Sequence, residues 1–233
     1  TLRTKGGSME TILKKSDVSL QEDVLHELRW DTRVGATEIG VLVDKGVVTL
    51  TGTVDGYAKK FAALEAAHRV AGVRDVADEI RVHYPGSGKQ TDAELAHAVR
   101  HALEWDVFVP DRQITSTVED GWVTLGGKVD FLREKEDAAL AVRQIVGVKG
   151  IWNEIRVAGP RVEPAAIRRK IEEALERRAE REAERITVGV DDATVTLSGT
   201  VRSWPEKQAI MGAVGHAPGV HAVKDQLQIG PDF

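Results

Sequence analysis

One stretch is written three times along the chain, and it constrains the fold more than any other feature. It reads GVVTLTGTV at 46–54, GWVTLGGKV at 121–129 and ATVTLSGTV at 193–201. Each copy alternates as a half-buried strand does. Val48, Leu50, Gly52 and Val54 share one face, and Val47, Thr49, Thr51 and Thr53 share the other. A glycine returns in the apolar phase of every copy, at Gly52, Gly127 and Gly199. Glycine weakens a strand interior, so its return at one place predicts a structural role: a bulge, or the close approach of another backbone or of a helix.

The copies sit inside longer repeats. The offset from the first to the second is 75 residues, pairing Trp30 with Trp105, Gly72 with Gly147 and Ile80 with Ile155. From the second to the third it is 72, pairing Leu103 with Leu175 and Gly147 with Gly219. Solenoid repeats run to about 20–50 residues, whereas units of this length can each bury a core. The division that follows is a polar tail at 1–16, where Met9 offers a natural start, and repeats at 17–83, 91–157 and 164–230. The linkers are 84–90, with Pro85-Gly86-Ser87-Gly88, and 158–163, with Pro160.

Each repeat reads α-β-β-α-β. In the first, Leu20, Val24 and Leu28 fall on one helical face, strands at 38–43 and 47–54 flank the turn Asp44-Lys45-Gly46, an Ala-rich helix stops at Gly72, and a strand follows at 76–82. The second gives a helix at 92–104, strands at 113–118 and 122–129, a helix at 132–146 and a strand at 151–157. The third opens with IRRKIEEALERRAEREAERI, which lacks a breaker, so its first helix is expected to run on with i,i+4 ion pairs. Ser203 and Glu206 predict a capping box, with Pro205 in the first turn. The first two strands make a hairpin, and the second and third, joined through a helix, run parallel with a right-handed crossover. The expected class is α+β: three tandem domains, each a three-stranded mixed sheet with two helices on one face and the other face open.

This order of elements, the VTLxGxV core, the helix-ending Gly-Val at 72–73, 147–148 and 219–220, and the closing Val76…Asp78…Ile80…Val82 pattern with its copies resemble the BON (bacterial OsmY and nodulation) domain. The resemblance spans nearly the whole chain, three copies in register. It implies a non-catalytic protein that contacts phospholipid membranes and is associated with osmotic or envelope stress in bacteria. Members are usually exported or lipid-anchored. This sequence shows neither an apolar leader nor a cysteine, so it reads as cytoplasmic as written, and as periplasmic if it is a mature, cleaved form.

Several function classes fall away. A net charge of −5 argues against a nucleic-acid partner and gives no attraction to anionic lipid. With no cysteine there is no disulfide, thiolate zinc site or thiol nucleophile. Gly88-Lys89 is not a phosphate loop, because His83 and Gln90 stand where that motif needs Gly and Ser or Thr. His97 and His101 have zinc-like i,i+4 spacing, but Leu95, Val99 and Leu103 take the buried face and leave both imidazoles wet. No serine sits in a nucleophile elbow. No enzyme activity, cofactor or metal is expected. Asp78, Asn153 and Asp225, in the inward phase of the last strand, read as local caps.

The tryptophans carry the remaining signal. Trp30 and Trp105 end the first helices off the apolar face; they either fold back as a lid or, with Phe108 and Val109 beside Trp105, offer an edge for weak, reversible contact with a phospholipid surface. Trp122 and Trp152 fall in the outward phase of neighbouring strands, an apolar pair expected to pack against another repeat, a second protomer or a protein partner. The alternative function is a soluble interaction scaffold that uses the open sheet faces.

Overall fold

A computed structural model describes residues 15–35, 39–84, 90–160, 162–176 and 186–230. The first repeat contains α1 (Asp17–Trp30), β1 (Ile39–Asp44), β2 (Val47–Val54), α2 (Tyr57–Arg69) and β3 (Asp75–Val82). The second contains α3 (Asp92–Trp105), β4 (Ile114–Glu119), β5 (Trp122–Val129), α4 (Leu132–Arg143), β6 (Gly150–Asn153) and β7 (Arg156–Val157). The third contains α5 (Pro164–Glu176), β8 (Ile186–Asp191), β9 (Thr194–Val201), α6 (Trp204–Gly215) and β10 (Ala222–Ile229). The continuation of α5 expected from its charge pattern lies outside the described residues.

In every repeat the repeated strand is the centre of the sheet. It pairs antiparallel with the strand before it and parallel with the strand after the helix, as predicted. The apolar phase is buried: Val48, Leu50 and Val54, with their counterparts Val123, Leu125, Val129, Val195, Leu197 and Val201, join three separate cores, one per repeat. The last strand of the second repeat is interrupted at Glu154 and Ile155, where the Asn153 side chain accepts from the Ile155 amide at 3.3 Å. Asp78 and Asp225 make the same local bond to Ile80 and Leu227, both at 3.0 Å. A lysine of the second helix completes each acidic cap: Lys60 to Asp78 at 2.9 Å and Lys207 to Asp225 at 2.6 Å. Asn153 has no charge to offer and instead donates to the Lys135 carbonyl at 2.7 Å.

The hairpin turns are clamped to the first helices. The Asp17 carboxylate accepts from the amides of Lys45 and Gly46 at 2.8 and 3.0 Å, and Asp92 accepts from those of Asp120 and Gly121 at the same distances. Helix starts carry their expected side chains, with one difference. Ser203 caps the Glu206 amide at 3.4 Å, but Glu206 reaches back to the Arg202 amide, at 2.6 Å, one residue earlier than a capping box requires. Helix α4 ends at Arg143, before its predicted end at 146, because the Ile145 amide bonds three residues back to Val142 and tightens the last turn.

Gly52, Gly127 and Gly199 sit at φ +131°, +115° and +132°, a region that favours glycine. At Gly127 a side chain would start 2.1 Å from the Gln113 carbonyl oxygen, so what crowds this position is the backbone entering the first strand, not the second helix. Gly72, Gly147 and Gly219, at φ between +90° and +101°, close the turn after each second helix.

The repeats meet through their second helices, and they do so at equivalent positions. Tyr57 opens α2 and packs on the core of the second repeat, where Arg143 lies over the Phe61 ring at 3.7 Å. Leu132 opens α4 and packs on the core of the third, 3.8 Å from where a Gly215 side chain would begin. Trp204 opens α6 and stacks on His68 of the first, with ring centroids 3.8 Å apart. Tyr57, Leu132 and Trp204 are equivalent in the repeat, as are Arg143, Gly215 and His68. One head-to-tail contact made three times closes the chain into a ring with approximate three-fold symmetry. Burial at these junctions raises the pKa of the Tyr57 phenol and lowers those of Arg143 and His68.

Candidate functional site

The end of α3 places three apolar side chains in solvent. Trp105 is 76% exposed, Val107 87% and Phe108 66%. The loop holding them is ordered by its own hydrogen bonds. The Asp106 carboxylate accepts from the Phe108 amide at 2.9 Å, and the Asp106 carbonyl accepts from the Val109 amide at 3.1 Å. That turn brings the fourth residue back under the first, so Val109 is 6% exposed and belongs to the core. Val109 is therefore not a surface contact, and Val107 takes that place. The signal was present in the repeat: Val34, its counterpart, is apolar and buried as well.

Arg100 holds the far end of the loop, donating to the carbonyls of Ile114 and Asp111 at 3.1 Å and pairing with the Glu104 carboxylate at 3.1 Å. The Trp105 indole N–H donates to His101 Nε2 at 3.0 Å, which turns the ring along the helix instead of over the core. The lid arrangement is thus excluded for Trp105. It is excluded for Trp30 too, which is 78% exposed and whose ring lies parallel to His26 at 6.4 Å. Each of these histidines precedes its tryptophan by one helical turn, a pairing that the sequence reading overlooked. His97 is exposed, and among the described residues no three His, Cys, Asp or Glu side chains converge as metal ligands.

The same turn in the first repeat carries charge. The Asp31 carboxylate accepts from the Arg33 amide and guanidinium and from Arg69 of α2, while Arg33 also pairs with Glu65. The Arg33 guanidinium, and Arg69 after it, hold the Asp31 carboxyl well below the usual carboxylate range although burial opposes them. Trp30 therefore stands beside an ionic cluster, and Trp105 beside Val107 and Phe108.

The Trp122–Trp152 pair forms as predicted, with centroids 5.5 Å apart and planes 21° from parallel. Trp122 and Trp152 are 44% and 59% exposed, and the described residues that line the hollow beside them all belong to the second repeat. Packing of the pair against another repeat is not seen among the described residues, and both rings stay half-open. Among the described residues no helix is long and apolar enough to cross a membrane.

The BON domain family model matches residues 16–84, 91–159 and 164–231. Osmotically-inducible protein Y of Escherichia coli (strain K12) is 30% identical over 127 residues, which is 53% of this chain and 63% of that protein. Two solved structures of CdsD, a structural protein of the type III secretion system of Chlamydia trachomatis, align with TM-scores of 0.27 and 0.26. They are 14% and 13% identical, over 91% and 93% of this chain and 92% and 100% of theirs. Superpositions this loose say nothing about how the three units are arranged.

Proposed function

The chain belongs to the BON domain family, and from that premise we propose that it is a non-catalytic protein that touches phospholipid surfaces weakly and reversibly through the end of α3. The observation that carries this reading is the cluster of Trp105, Val107 and Phe108, solvent-exposed on a hydrogen-bonded turn. Aromatic and branched apolar side chains on a rigid loop, flanked by polar groups, suit the boundary between headgroups and acyl chains. Trp30, at the equivalent end of α1, is a second and weaker contact. Apolar burial of about 25 cal/mol per Å² over a few side chains gives a few kcal/mol at most. With a net charge of −5 there is no general attraction to anionic lipid to add to it. The name of the Escherichia coli relative supports a role under osmotic change; since the match covers 63% of that protein, this role is carried over as part of the proposal.

Vesicle co-sedimentation tests it. The native protein should be retained on phospholipid vesicles at physiological salt, and Trp105→Ala with Phe108→Ala should abolish retention while leaving the melting temperature unchanged. Equal retention of the double variant overturns the assignment.

A second reading, a soluble scaffold, has its own observation: the sheet face carrying Trp122 and Trp152 is open to a partner. Failure to sediment with any vesicle, together with a defined oligomer, favours it.

A further inference from the structure

The Trp122–Trp152 pair is built into the sheet, and the proof is a glycine beneath it. A side chain at Gly150 would begin 2.2 Å from Trp122 Cζ3. The indole therefore lies flat across the neighbouring strand only because residue 150 has no Cβ. The counterparts of Gly150 are Asp75 and Ala222, and neither repeat has a ring to accommodate: Val47 and Thr194 replace Trp122, and Ala77 and Lys224 replace Trp152. Three positions have changed together in one repeat out of three.

The two rings line a hollow of about 630 Å³ with Thr117, Val118, Glu119, Asp120 and Thr124. In the antiparallel register Glu119 is the direct partner of Trp122, and Thr117 that of Thr124, so their side chains share the outer face. Among the described residues no cation lines the hollow, and neither Glu119 nor Asp120 joins an ion pair. Two indole faces carry negative potential, and two carboxylates stand beside them. Such a site attracts a weakly hydrated organic cation, whose charge a ring face can solvate, more than a neutral or anionic molecule. The hollow is open on one side, so a bound solute would be held weakly against the rings and carboxylates.

We infer that this hollow binds a small free solute bearing a quaternary ammonium group, with Trp122 and Trp152 facing the methyl groups and Glu119 and Asp120 supplying the countercharge. The site lies on the open sheet face and is independent of the lipid contact at the end of α3.

Titration of tetramethylammonium and choline, followed by the ligand methyl proton resonances, tests it. Ring currents should shift these resonances upfield with saturation in the millimolar range. Trp152→Ala and the pair Glu119→Gln, Asp120→Asn should each weaken binding about fivefold, and 3,3-dimethylbutan-1-ol, the neutral isostere of choline, should bind about fivefold more weakly than choline. Gly150→Val, which displaces the Trp122 ring, should abolish the shift. Should Gly150→Val fail to fold, Trp122→Ala gives the same test. Equal binding of the neutral isostere, no saturable shift with either cation, or full binding by the Trp152→Ala variant overturns the inference. Retention on phosphatidylcholine vesicles should be the same for the native protein and a Trp122→Ala, Trp152→Ala variant; its loss would assign the site to a lipid headgroup and overturn the free-solute claim.

Discussion

At Gly127 the backbone conformation and the space around it demand the same residue. Its φ is +115°, and the Gln113 carbonyl fills the place of a side chain. Gly127→Ala combines a strained backbone with a steric clash, each worth about 1–3 kcal/mol, so the variant should lose roughly 2–6 kcal/mol in denaturant unfolding. Gly52 and Gly199 share the positive φ and should behave alike; no loss at any of the three would refute this account. The recurrence of glycine was legible in the sequence, and so was the prospect of a close backbone. The identity of that backbone was not, since Gln113 is fourteen positions away and is brought there by the hairpin. Val109 was misread for a similar reason. Its place is decided by the Asp106 turn, which reverses the chain within four residues, so adjacency in sequence to Trp105 and Phe108 does not put it on the same surface.

At the level of elements the alternation of the central strand was enough to set its limits. Residues 47–54 and 122–129 are strands end to end, and their partners lie in the expected directions. Helix ends were less legible, because a final turn tightened at Ile145 has the composition of a helix. The clamp from helix to hairpin left no sequence signature beyond a carboxylate at the first helical position. Its energetic role is testable: Asp92→Ala removes two charge-assisted bonds to the amides of Asp120 and Gly121, and should cost about 1–3 kcal/mol by thermal or denaturant melting. Asp92→Asn, which keeps one acceptor, should recover part of the loss; an Ala variant as stable as the native chain would show that water replaces the clamp.

The ring is a property of the whole molecule and was not legible at all, since Tyr57, Leu132 and Trp204 occupy one position with three different side chains. Its closing contact is the Trp204–His68 stack. Burial lowers the His68 pKa, so the unfolded chain binds a proton more readily than the folded one. Stability from this contact should therefore be fully present above the unfolded value of about 6.5 and decline as the pH falls below it. Small-angle scattering should show Trp204→Ala opening into a longer particle at neutral pH; an unchanged radius of gyration would mean that the ring closes without it. In a closed ring of equivalent contacts, equivalent residues lie at one level around the axis, which places Trp30 and Trp105 on the same side of the molecule. Trp122, Trp152 and Trp204 belong to the sheet face and the junction instead. Tryptophan fluorescence on vesicles with brominated acyl chains separates these groups directly. The emission of the native protein should be quenched on binding, and the Trp30→Phe, Trp105→Phe variant should show almost no quenching while remaining folded. Quenching of equal depth in that variant would contradict the assignment of the lipid-facing side.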